Sequence, residues 1–238
     1  MKRSARWMAV LAVGGALILP AGPASAEERV CRGAIGAVTV DNLRVPQDAT
    51  CTLNGTLVEG TIKVQRDATL KASGIRVIGN VQAENARRVV VRNGSVGGSV
   101  QIVQGGAAKI LGTKITGDIL FDDQGGALAA NRNRIGGNLQ AFQNTGGLAI
   151  NDNRIDGNLQ CKENAPAPTG GGNVVQGSTL AANRNRIGGN LQAFQNTGGL
   201  AINDNRIDGN LQCKKNDPAP TGSGNVVQGS KEDQCEEL

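Results

Sequence analysis

Ile135-Gly136-Gly137-Asn138-Leu139-Gln140 and Ile155-Asp156-Gly157-Asn158-Leu159-Gln160 stand 20 residues apart and share one pattern: apolar, any residue, Gly, small polar, apolar, Gln. Upstream the pattern recurs as Val77-Ile78-Gly79-Asn80-Val81-Gln82, Val96-Gly97-Gly98-Ser99-Val100-Gln101 and Ile115-Thr116-Gly117-Asp118-Ile119-Leu120. Val58-Glu59-Gly60-Thr61-Ile62-Lys63 is a looser early copy, and Ile187 and Ile207 begin two later ones. The starts at 58, 77, 96, 115, 135 and 155 are spaced 19 or 20 apart; the next step, to 187, is 32. A short fixed period marks a solenoid, in which each turn buries its apolar edge against the next.

Apolar residues alternate within each coil, as in half-buried strands. Ile62/Val64, Val81/Ala83, Val100/Ile102, Ile119/Phe121 and Leu139/Ala141 are expected to point inward. Val89/Val91, Ala108/Ile110, Leu128/Ala130 and Leu148/Ile150 form a second inward set after a turn. Period-two segments leave no room for helices between them. They suit short strands that stack in parallel from coil to coil, about 4.8 Å apart. The fold class is therefore all-β, a single-stranded parallel β-helix with 19–20 residues per coil. The right-handed form is favoured because the coil length varies, whereas a left-handed hexapeptide helix would keep a strict six-residue period. An antiparallel sandwich is the alternative.

A longer repeat overlies the short one. Residues 128–178 reappear as 180–230, shifted by 52, with three differences: Glu163/Lys215, Ala165/Asp217 and Gly171/Ser223. The 32-residue step contains Asn164-Ala165-Pro166-Ala167-Pro168-Thr169-Gly170-Gly171-Gly172, a density of Pro and Gly that reads as a loop. A duplication that moved a former C-terminal loop into mid-chain accounts for it. The loop is expected to bulge outward or to break the solenoid into two stacks.

Residues 1–26 read as a secretory signal: a basic start (Lys2, Arg3, Arg6), an apolar run over 7–19, and the small-residue site Ala24-Ser25-Ala26. A retained membrane anchor is the other reading. The organisation expected is a signal peptide at 1–26, an N-terminal cap and first coil at 27–57, the β-helix at 58–217 with its Pro/Gly loop at 164–172, and a C-terminal loop and cap at 218–238. An exported chain with no membrane span after cleavage is expected, located outside the cell. The signal carries three of the 25 basic residues and none of the 20 acidic ones, so the mature net charge is only +2. Such a balance does not imply a nucleic-acid partner.

Five cysteines in an exported chain point to disulfides. Cys31 and Cys51 are one coil apart, which brings equivalent positions into bridging range. Cys213 and Cys235 are expected to staple the other end. Cys161 duplicates Cys213 but has no second partner, so it is read as a buried free thiol or as the site of an intermolecular bridge. No metal or cofactor is implied, because the cysteines are scattered and the chain has no His.

Stacking turns repeated residues into ladders. Gln82, Gln101, Gln140, Gln160, Gln192 and Gln212 share one outward position. Asn131, Asn151, Asn183 and Asn203 share a turn position, as do Asn133, Asn153, Asn185 and Asn205. These amides read as coil-to-coil hydrogen-bond ladders, with a ligand-binding amide face as the alternative. The residue before each coil's first apolar position is Arg76, Ser95, Lys114, Arg134, Arg154, Arg186 or Arg206. This outward basic stripe is the candidate binding site, suited to an anionic cell-wall or matrix polymer. Asp152, Asp156, Asp204 and Asp208 are placed to neutralise its later half. Self-association through the regular face is a further expectation.

An enzyme acting on polysaccharides is the competing function. Such a site needs paired carboxylates or a calcium cluster. Asp118, Asp122 and Asp123 form the one acidic spot within the coils, without His, Tyr or a Trp of the mature chain beside it. No catalytic residue is assigned.

The phrase Gly-Asn-Leu-Gln-Cys-Lys, the Pro-Ala-Pro-Thr-Gly loop and the ending Lys231-Glu232-Asp233-Gln234-Cys235 resemble a group of small secreted actinobacterial proteins of unknown function. That resemblance spans roughly residues 75–238 and implies an extracellular location. The Gly-Asp-Ile and Gly-Asn-Leu phrases are also similar to those of bactofilins, polymer-forming β-helix proteins, which lack a secretory signal and disulfides. The function expected is a non-enzymatic structural or binding protein of the cell surface or extracellular matrix.

Overall fold

A computed structural model describes residues 27–165, 168–169, 173–175, 180–184, 186–187, 191–194 and 199–238. The signal-peptide reading of 1–26, the Gly run at 170–172, and Asn185 lie outside these residues. Every described element is a strand, and every pairing is parallel, so the antiparallel alternative does not hold.

The strands stack on three faces. Face A is a ten-stranded sheet that runs from Glu28–Val30 through Val81–Glu84 and Leu159–Lys162 to Leu200–Asn203. Face B is a seven-stranded sheet from Ala34–Ile35 to Leu148–Asn151, and face C an eight-stranded sheet from Thr39–Val40 to Val174–Val175. The chain visits A, B and C in turn, one strand each. Strands at 28–30, 34–35 and 39–40 already pair with the next coil, so solenoid occupies the segment expected as cap and first coil. At the other end Thr221 bridges Ala201, Val226–Val227 pairs with Arg206–Ile207, and Lys231–Asp233 pairs with Leu211–Lys214. The segment 218–238 is thus a last coil closed by a short turn.

Alternation explains the core. All the inward residues expected on faces A and B are buried, and face C adds one per coil, among them Val58, Val77, Val96, Ile115, Ile135 and Ile155. Among the described residues Phe121 is the largest fully buried side chain, and its register partners are Ile102 and Ala141. The small Ala141 beside Phe121 keeps the layer filled without overpacking. Corners use left-handed backbone, at Asp67 (φ 56°), Asn85 (52°) and Asp123 (52°) after face A and at Gly74 (62°), Asn93 (51°) and Asp152 (55°) after face B. Asn, Asp and Gly adopt this conformation at least cost.

The Gly of the coil phrase has a steric cause. A Cβ on Gly79 would stand 2.6 Å from the carbonyl oxygen of Gly60 and 2.8 Å from Thr61 Oγ1 in the preceding coil. The small polar residue after it also has a cause. Backbone N–H groups of Thr61, Asn80, Ser99, Asp118, Asn138 and Asn158 each donate to the side-chain oxygen of the equivalent residue one coil earlier, from Asn42 to Asn138, at 2.6–3.3 Å.

A second amide ladder is buried. Asn133 N–H and Nδ2 both donate to Asn153 Oδ1 (3.0 Å each), and Asn153 does the same to Asn173. Their Nδ2 groups also reach the carbonyls of Ile110, Ala130 and Ile150. Gln124, Asn144 and Asn164 form a parallel ladder at the A–B corner. These side chains do the pairing that buried corner backbone otherwise lacks.

The described residues of the Pro/Gly segment and those just after it keep the coil register. Asn164 and Asn173 continue the buried ladders, Ala149 bridges Thr169, and Arg154 and Ile155 pair with Val174 and Val175 at the ordinary 20-residue spacing. At those positions the stack continues in register. The later coils have a different phase. Leu180–Asn183, the copy of Leu128–Asn131, pairs with Leu159–Lys162 on face A, whereas Leu128–Asn131 lies on face B. The later strands form two three-stranded sheets, Arg186–Ile187 with Arg206–Ile207 and Val226–Val227, and Leu191–Phe194 with Leu211–Lys214 and Lys231–Asp233. In chain order these follow on the B and C sides.

Both expected disulfides are present, Cys31–Cys51 with Cα atoms 5.5 Å apart and Cys213–Cys235 at 5.2 Å. Cys161 is a buried free thiol on face A, in register with Ala141.

Candidate polyanion-binding face

Face C carries the first part of the expected stripe. Leu57, Arg76, Ser95, Lys114, Arg134, Arg154 and Val174 are successive backbone partners. Arg76, Lys114, Arg134 and Arg154 are exposed. Parallel stacking sets neighbours in this row about 4.8 Å apart. Each cation precedes an inward Val or Ile of a two-residue strand, so alternation turns it to solvent.

The expected single stripe is not continuous. Val174 follows Arg154, because Val174–Val175 supplies the next strand of face C. Arg186 and Arg206 pair with each other in one of the three-stranded sheets, away from the face-C row. The phase change between Val175 and Leu180 is the cause. The Gln row divides for the same reason: Gln82, Gln101, Leu120, Gln140 and Gln160 are consecutive partners on face A, while Gln192 pairs with Gln212 elsewhere. Gln140 Nε2 donates to Gln160 Oε1 at 2.9 Å, a coil-to-coil bond of the expected kind. Asn131 and Asn151 pair on face B, Asn183 and Asn203 on face A.

Charge along the row is uneven. Arg154 Nε lies 3.3 Å from Asp156 Oδ1, and Arg206 Nε lies 3.8 Å from Asp208 Oδ1. Among the described residues no ion pair involves Arg76, Lys114 or Arg134. The uncompensated charge therefore sits in the N-terminal part of the face, as the positions of Asp156 and Asp208 led one to expect.

The acidic spot does not converge. Asp118 Oδ1 accepts from Asn138 N–H (2.6 Å) and Nδ2 (3.1 Å) as one rung of the ladder. Asp122 lies on face A between Val103 and Phe142, and Asp123 is the left-handed corner residue.

One cationic set was missed by reading the sequence. Lys71, Arg88, Arg92 and Lys109 all lie on face B, at the first, third and fifth positions of three neighbouring strands. Following one position from coil to coil does not reveal them, since no single row holds more than two. A two-dimensional map of the face, drawn at the 19-residue register, would have done so.

No family model, curated protein or solved structure matches the chain.

Proposed function

We propose that this chain is an exported, non-enzymatic protein of the cell surface or extracellular matrix that engages an anionic polymer through the outer faces of its solenoid. The observation that carries this reading is the face-C row, in which Arg76, Lys114 and Arg134 project from one register position without carboxylate partners among the described residues. A rigid row of cations suits a polymer whose charges repeat, because many weak contacts combine. Export is supported by the two disulfides, by the leader pattern of residues 1–26, and by the likeness of the coil phrases to secreted actinobacterial proteins. Among the described residues no helix is long and apolar enough to cross a membrane.

The test is retention of the mature protein on an immobilised anionic cell-wall polymer across a salt gradient. Wild type is expected to elute progressively earlier as salt rises, since exposed charges are screened. The Arg76→Gln/Lys114→Gln/Arg134→Gln variant is expected to fold normally and to elute clearly earlier than wild type. Equal retention of wild type and variant at all salt concentrations refutes the role of the row.

A further inference from the structure

The geometry points to a second and more compact anion site on face B, centred on Val90, that takes an anionic polysaccharide. It rests on the polymer-binding function proposed above and extends it to a new face, with residues disjoint from the face-C row. Val90 lies between Val89 and Val91, which point inward and are completely buried, so it points outward. It is nonetheless only 5% exposed. Lys71 and Lys109 are its register partners in the coils on either side, and Arg88 and Arg92 flank it on its own strand. Their stems account for the shielding of Val90, since long cationic side chains lie along apolar surface while keeping their charged ends in water. The result is a floor of aliphatic stems over Val90 that carries four cations, whose backbone positions lie about 10 Å apart across the coils and about 13 Å apart along the strand.

Three features select the ligand. First, the strands Thr50–Asn54, Thr69–Ser73, Arg88–Arg92 and Ala107–Leu111 contain no carboxylate, and no ion pair among the described residues involves the four cations. The positive field is uncompensated. Second, a shallow concavity of about 370 Å³ is lined by Lys71, Arg88 and Arg92 and by the polar groups of Thr52, Asn54 and Ser73, with Lys109 in the next coil. A sugar ring presents an apolar face to the aliphatic stems that cover Val90, hydroxyls to these side chains, and an acidic substituent to a lysine or arginine. Third, these strands carry no aromatic side chain, so a single-stranded nucleic acid finds no stacking platform. They also offer no large exposed apolar group for a lipid surface.

Binding of polygalacturonate to the mature protein tests this, with neutral dextran, a single-stranded oligonucleotide and phosphatidylglycerol vesicles as comparison probes. Wild type is expected to bind polygalacturonate and not dextran, and to bind it more tightly than the oligonucleotide or the vesicles. The variant Lys71→Gln/Arg88→Gln/Lys109→Gln is expected to lose about tenfold in affinity, the sum of three modest exposed contacts. The charge-preserving variant Lys71→Arg/Lys109→Arg is expected to bind like wild type, and both are expected to melt with it. No binding by wild type, equal binding by the Gln variant, or tighter binding to oligonucleotide or vesicles overturns the proposal. Loss in the face-C variant alone leaves the function proposed above standing and refutes this site.

Discussion

Leu180 is the backbone partner of Leu159 on face A, although the residue it duplicates, Leu128, is the partner of Ala108 on face B. Identical sequence thus occupies two different sides of one solenoid. The chain tolerates this because each wide face asks for the same thing, a short strand with a period-two apolar pair. Leu-Ala-Ala-Asn meets that demand on either face, and Asn203 N–H finds Asn183 Oδ1 at 3.2 Å just as Asn151 finds Asn131 at 3.0 Å.

The phase change predicts a specific cross-link. Gln160→Cys combined with Ala181→Cys places thiols at register partners, and oxidation is expected to join them. Ala149→Cys with Ala181→Cys, the pair that an unshifted repeat would bring together, is expected to stay open. Peptide mapping of the oxidised variants checks both.

The buried amide ladder predicts a polar dependence that apolar substitution cannot replace. Asn153→Leu removes the acceptor for Asn133 N–H and the donor to Ala130 oxygen. Stranding two buried backbone groups is expected to cost about 2–5 kcal/mol, read by denaturant unfolding. Asn151→Ala, in the half-buried ladder, is expected to cost distinctly less.

Burial pushes the Cys161 thiol up to about 12 from its ordinary value of 9.0. The native thiol therefore stays protonated and shielded. An aromatic disulfide reagent at pH 8 is expected to leave Cys161 untouched in the native protein and to react at once after unfolding. Because the folded value is the higher one, this group's contribution to stability is complete below pH 9 and declines between pH 9 and about 12. Cys161→Ala is expected to flatten that decline.

Glu232 sits on the last coil, and hydrogen bonds from Ser230, then Gln212 and Asn210, hold its carboxyl below the usual range, with a smaller opposing effect of burial. Gln212 Nε2 donates at 2.5 Å and Asn210 Nδ2 at 3.0 Å, so the carboxylate closes the terminal ends of the amide rows. A lowered native value stabilises above the unfolded pKa and is lost as pH falls through the folded one. Hydrogen-exchange protection factors in residues 211–238 are expected to fall on acidification in wild type, and to depend less on pH in Glu232→Gln.

Much of this structure was legible because it follows from local period. Inward pairs such as Val100/Ile102, and the pairing of Cys31 with Cys51, need only the coil length. What stayed hidden depends on how coils are set against one another. The interval from Ile155 to Ile187 gives a number of residues but not the face on which the chain resumes, and that choice ended the stripe at Arg154. The role of Asp118 was equally veiled, since a surface acid and a ladder rung look alike until the partner, Asn138, is placed beside it. The cluster around Val90 required both directions of the sheet at once.

The 52-residue unit comprises two coils of 20 and a remainder of 12 that carries the chain across two faces. Duplication by this unit therefore acts as a screw operation, advancing along the axis and turning by a third of a revolution in the opposite sense to the coil. A third copy would fall on face C, and a fourth would return to face B. Growth by such units would wrap one surface motif around the shaft like a thread, so that a longer chain could be gripped from every side, whereas duplication by whole coils would lengthen a single edge.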